Sequence, residues 1–142
     1  MKKIFLILIM LIGFSGLAQK NINTEKLYKS NVKSDCSVRA LASALDISYS
    51  ESFQILNGVF VYDKGVKASD FISTIPQDKI KRVMLINNML PAEFIKLAPE
   101  GTYIAISRTH TFTIKSLNGE WFIYGNPDDK HQKIIKVIII NT

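Results

Sequence analysis

The chain has 142 residues, with 18 Lys and Arg against 12 Asp and Glu and a formal charge of +6. Its basic residues form no dense stripe interleaved with aromatics, which argues against a nucleic-acid-binding module. A single cysteine excludes an internal disulfide; the carboxylates and histidines lack metal-ligand spacing, and no Gly-rich loop cradles a phosphate, so neither metal nor cofactor is expected.

In chain order, "MKK" gives a positive start, and "IFLILIMLIGF" is an apolar run short of the roughly 20 residues a membrane span requires. "SGLAQK" ends the run with Gly16 and Ala18 at positions −3 and −1 of a cut. That layout predicts a secretory signal peptide over residues 1–18 and a single mature domain over 19–142, secreted or periplasmic, with no stable membrane span after cleavage. No cysteine lies near the cut, so a lipid anchor is not expected. The excised piece removes Lys2 and Lys3 and no acid, lowering the charge by two.

Residues 19–32 are polar and read as an extended lead. A helix is predicted over 36–45, "CSVRALASAL", with Ser34 and Asp35 as N-cap types and Val38, Leu41, Ala42 and Leu45 as its apolar stripe. A second helix runs from Ser50 to Leu56, stopped by Asn57-Gly58. A third is "ASDFISTI", capped by Ser69 and ended by Pro76, and a fourth is "PAEFIKLA", with Pro91 at the favoured first position. Strands are predicted over 80–86, 102–108, 110–116, 120–125 and 133–140. Helices first and antiparallel strands later give an α+β domain, a Cys-bearing N-terminal helix packed on a C-terminal sheet.

The one cysteine, Cys36, stands at the first turn of its helix, where partial positive charge and open N–H groups stabilise a thiolate nucleophile. The Cys36 N–H could itself donate to an oxyanion. A thiolate needs a base and a group to orient that base. Of the two histidines, His131 lies in the charged stretch "PDDKHQK" and reads as solvated, whereas His110 heads a strand. Sixteen residues on, Asn126 follows the next strand.

Whether those two meet depends on the hairpin "SLNGE". A two-residue type I′ turn pairs Leu117 with Glu120 and puts Asn126 across the sheet from the histidine side. A three-residue loop pairs Phe112 with Tyr124, Ile114 with Phe122 and His110 with Asn126. The apolar partners match better in the second register, so it, or an equivalent bulge near Gly125, is expected. Asp128 and Asp129 are then expected to be solvated, and either could replace Asn126 if the first register holds.

A cysteine at a helix start, a histidine heading a later strand and an Asn or Asp after the next strand resemble the papain-like cysteine peptidases. "DCSVRALASALDISYSESFQIL" resembles small bacterial and phage domains of that superfamily, whose opening motif is Asp-Cys-x-x-Arg-Ala. "HTFTIKSLNGEWFIYGNPDD" is similar to the His and Asn/Asp-Pro segments of bacteriocin-processing (double-glycine leader) peptidases. The resemblance implies a thiol hydrolase acting on a peptide or amide bond through an acyl-enzyme. Cys36 would be nucleophile, His110 proton shuttle and Asn126 orienter. Such enzymes also place a Gln before the cysteine as an oxyanion donor; here the nearest amide is Asn31. Arg39 could bind a substrate carboxylate or pair with Asp35. Two other readings stand beside this one. "DCS" also opens the nucleophile motif of a group of cell-wall peptidases acting on peptidoglycan, although Val38 stands where they usually carry Gly. The third reading is a secreted, non-catalytic binding domain.

Overall fold

The expected stripe residues Val38, Leu41 and Ala42 of α1 (Cys36–Leu45) are completely buried. Ser37, Ala40, Ser43 and Ala44 are buried as well and Leu45 is only half-buried, so the helix is enclosed on more than one side. The computed structural model describes residues 22–25 and 34–141; the expected leader, most of the extended lead and Asn31 lie outside them. No helix among the described residues is long and apolar enough to cross a membrane.

After α1 come α2 (Tyr49–Leu56), α3 (Ala68–Thr74), β2 (Ile80–Met89), α4 (Pro91–Leu97), β3 (Thr102–Ile106), β4 (Thr111–Leu117), β5 (Glu120–Tyr124) and β6 (Ile134–Ile140); β1 (Ile22–Glu25) precedes them. One six-stranded sheet has the order β1-β5-β4-β3-β6-β2. Its last five strands pair antiparallel, while β1 adds to the β5 edge in parallel. The α+β class holds. The "INTE" strand β1 is an addition to what periodicity gave, because four polar-rich residues carry no alternation to detect.

Two cores lie on the two faces of the sheet. On one face α1, α2 and α3 pack over Ile104, Ile106, Ile138 and Ile140. On the other, α4 supplies Phe94 and Ile95 against Tyr103, Phe112, Ile114, Trp121, Ile123 and Ile134. Each fully buried side chain of this size contributes about 1.5–3 kcal/mol, so the sheet is clamped from both sides.

Polar bonds fix how α1 sits on β4. Thr113, wholly buried, donates its hydroxyl to the Ala40 carbonyl at 2.6 Å. One pleat further along, Lys115 Nζ donates to the Ser43 carbonyl at 3.0 Å and to Asp46 Oδ1 at 2.9 Å. A cation at the carbonyl end of a helix complements its dipole. From the other side, Ser52 of α2 donates to the Val38 carbonyl at 2.6 Å. These side chains carry no apolar signal, yet they fix the helix in rotation and height, and so the place of its first residue, Cys36.

Three local expectations need correction. Asp35 does occupy the N-cap of α1, but its side chain makes no cap hydrogen bond; its carboxylate faces Arg39 and Tyr49 instead. Ser48 caps α2, accepting from the Glu51 N–H at 3.1 Å, and Lys67, not Ser69, holds the cap position of α3. The third correction is the hairpin register. Leu117 pairs with Glu120 and Ile114 with Ile123, the register of a two-residue turn, not of the three-residue loop. Asn118 and Gly119 have φ of 52° and 82°, the paired positive values of a type I′ turn, whose twist matches the flanking strands. The inward residues of β5 are accordingly Trp121 and Ile123, not Phe122 and Tyr124.

Candidate active site

Cys36, Arg39, His110 and Asn126 line one cavity of about 570 Å³. One wall is the start of α1. The loop over residues 64–68 and the turn between β3 and β4 supply most of the rest of the lining. Ser34 ties the first two together by donating its hydroxyl to the Asp63 carbonyl at 3.0 Å.

Cys36 is half-buried and unpaired. Because Asp35 turns its carboxylate away, no side chain caps α1. The first backbone bond of the helix runs from the Arg39 N–H to the Asp35 carbonyl at 3.1 Å. The N–H groups of the first turn therefore have no intrahelical acceptor. A helix start left in this state beside a thiol suits an anion at the sulfur or at an oxygen bonded to the carbon it attacks.

His110 stands one residue before β4, in the turn that ends β3. Ser107 holds that turn: its N–H donates to the His110 carbonyl at 2.9 Å, and its Oγ accepts from the His110 N–H at 3.0 Å. The imidazole is 37 % exposed, yet its Nδ1 is buried and has no hydrogen-bond partner. Nδ1 faces Asp129 Oδ1 at 3.9 Å, itself buried and unpartnered. That separation exceeds a hydrogen bond, and closing it by about 1 Å would satisfy both atoms. Catalytic bonds commonly tighten in this way only when substrate is bound. With Nδ1 turned to the carboxylate, Nε2 is the ring nitrogen left free to exchange a proton.

The group beside the imidazole is thus Asp129, and not Asn126 as the sequence suggested. The register explains the exchange. With Ile114 opposite Ile123, continuing the ladder brings Gly125 across from Phe112 and turns Asn126 toward α1. Asn126 Oδ1 there accepts from Arg39 Nη1 at 3.3 Å. The chain then bends through a short 3₁₀ turn, Pro127–His131, which carries Asp129 back under the sheet end. Asp128 and His131 remain exposed, but Asp129 is only 2 % exposed, against the expectation of solvation. Its Oδ2 accepts from the Asn126 N–H at 2.7 Å. Gly125 makes the room: a Cβ there would overlap Asp129 Oδ2 and press on Phe112 Cβ at 3.1 Å.

Burial pushes the Asp129 carboxyl up from its ordinary value, against the Asn126 N–H and the charges of His110 and Arg39, which pull it down. A buried carboxylate held ready to accept a hydrogen bond is costly to the fold. Here it serves a histidine that opens onto a cavity.

Arg39 connects this pair to the helix. Its Nε lies 3.0 Å from Asp35 Oδ1, and Tyr49 donates its hydroxyl to Asp35 Oδ2 at 2.9 Å. Polar contacts therefore run from Tyr49 through Asp35, Arg39 and Asn126 to Asp129, whose free oxygen faces His110 at 3.9 Å. Of the two roles open to Arg39, the pairing with Asp35 is the one present. No group of three or more His, Cys, Asp or Glu among the described residues could hold a metal.

No family model, no curated protein and no solved structure matches the chain. The site rests on its own geometry.

Proposed function

We propose that this chain is an exported thiol hydrolase of the papain-like type, cleaving a peptide or amide bond with Cys36, His110 and Asp129. The observation that carries the reading is one cavity holding both a thiol at an uncapped helix start and a histidine whose inner nitrogen faces a buried carboxylate. A carboxylate 2 % exposed, facing a histidine that lines a cavity, is the kind of arrangement that clusters at functional sites.

In this reading the His110 imidazole takes the Cys36 proton at Nε2 as sulfur attacks the substrate carbonyl. Asp129 holds the tautomer with the proton on Nδ1 and stabilises the imidazolium that forms. The developing oxyanion is met by N–H groups at the start of α1, that of Cys36 among them. Collapse of the tetrahedral intermediate expels the amine, which leaves with the proton from His110. Water, deprotonated by the same nitrogen, then hydrolyses the thioester and releases the acid. The amide side chain of Asn126 fixes Arg39 and the turn leading to Asp129, and does not touch the base.

The test is hydrolysis of a peptide panel by the chain from residue 19, with Cys36→Ala as blank. The expected result is turnover by the wild type, none by the variant, and an acyl adduct on the Cys36 peptide in mass spectra of rapidly quenched samples. Equal release of products by both proteins would overturn the assignment.

A further inference from the structure

We propose that the cavity selects a peptide substrate bearing carboxylates beside the bond to be cut. The inference rests on the thiol-hydrolase reading and adds to it the chemistry of the substrate. Lys64, Lys67 and Arg108 line the cavity alongside Arg39 and His110, and among the described residues no Asp or Glu lines it. Lys64 and Lys67 belong to the loop over residues 64–68 and Arg108 to the β3–β4 turn, so two separate segments bring positive charge to the cavity that holds the thiol. Two acids beside the site are buried and committed, while Asp63, next to Lys64, and Asp128 are exposed. Asp35 faces Arg39 and Tyr49, and Asp129 faces Asn126 and His110. Arg39 is thereby neutralised, whereas Lys64, Lys67 and Arg108 are exposed and enter no ion pair among the described residues.

Charges of one sign lining a cleft raise the local concentration of an oppositely charged substrate. At the surface each contributes little alone, and salt screens the effect over about 10 Å at 0.1 M. Three in one cavity amount to roughly a five- to thirtyfold preference at low ionic strength. A side-chain carboxylate and a free α-carboxylate close to the scissile bond share the same chemistry, and the substrates below separate them.

The first arm needs no hydrolysis. Cys36 is alkylated with iodoacetate and, separately, with iodoacetamide, and the ratio of rates is compared with that of free cysteine. The expected ratio exceeds the free-thiol ratio by about fivefold or more at low salt. It falls at least threefold in the triple variant Lys64→Gln, Lys67→Gln, Arg108→Gln and toward the free-thiol value in high salt. All three residues are exposed, so the substitutions leave the core intact. The second arm compares kcat/KM for peptides with Glu or Gln flanking the cut, and with a free or amidated C-terminus next to it. Loss of the Glu preference in the triple variant assigns side-chain carboxylates; loss of the free-terminus preference assigns the α-carboxylate. An alkylation ratio that equals free cysteine, or that the triple variant leaves unchanged, overturns the proposal. Slow alkylation by both reagents with an elevated ratio would instead remove the hydrolase reading and leave the anion preference standing.

Discussion

Asp129→Asn is expected to abolish nearly all turnover while leaving the protein at least as stable at pH 7. Burial raises the carboxyl of Asp129 in the folded state, so the folded chain binds a proton that the unfolded chain releases. Stability therefore falls as pH rises from the ordinary carboxylate range through the raised value, and above it the ionised group is a net cost. Asparagine removes that cost, and its amide oxygen can still accept from the Asn126 N–H. Its NH₂ would then face His110 Nδ1 and turn Nδ1 into an acceptor, placing the ring proton on Nε2. That tautomer cannot take a proton from Cys36, and the loss in kcat is on the order of 10²–10⁴-fold. Denaturation followed from pH 4 to 8 should show the wild-type slope flattened in the variant. Gly125→Ala reaches the same carboxylate by a different route. Its methyl group collides with Asp129 Oδ2 and should lower turnover while also destabilising the fold. A variant at 129 that loses stability at pH 7 and keeps its turnover would mark the carboxylate as purely structural.

The second large effect is expected at Arg39. Arg39→Met leaves Asp35, 3 % exposed, facing no cation, and leaves Asn126 Oδ1 without its donor. Breaking a buried pair by removing one partner costs about 3–5 kcal/mol. Arg39 is 17 % exposed in its side chain, which brings the figure to about 2–4 kcal/mol, or a fall in Tm of roughly 8–15 °C for a domain of this size. The double variant Asp35→Asn, Arg39→Met should recover at least half of the loss, since no buried charge is then left unpaired. A double-mutant cycle in urea measures the coupling directly. Activity should not recover with stability, because the link from α1 to the 126–129 turn stays broken.

Much of this architecture is legible in the residues. The 3.6-residue stripe makes α1 legible as a helix, although more than that stripe is buried, and Cys36 at its first turn follows from where the stripe begins. The four helices and the five C-terminal strands likewise follow from periodicity. The register of the β4–β5 hairpin does not. Phe112 opposite Tyr124 and Ile114 opposite Phe122 look as well matched as the pairs found, and a slip of one residue inverts which face each residue joins. The turn decides the matter, since Asn-Gly accepts positive φ at both positions. Asp129 was obscured for a different reason. "PDDKHQK" has the composition of a solvated loop, and only the 3₁₀ turn after Pro127 places one of its acids inward. The available clue was Gly125, a residue without Cβ directly before the segment that has to fold back. The bonds from Thr113, Lys115 and Ser52 to carbonyls of α1 were invisible because they are contacts across 14 to 73 residues of chain.

The most direct measurement is the rate of Cys36 alkylation by iodoacetamide at pH 6, in the wild type and in His110→Ala, against free cysteine. In the proposed triad, a thiol at an open helix start with His110 as its base should react at least about tenfold faster than free cysteine, with most of that excess lost in the variant. A wild-type rate no greater than that of free cysteine, or one indifferent to residue 110, would contradict the triad.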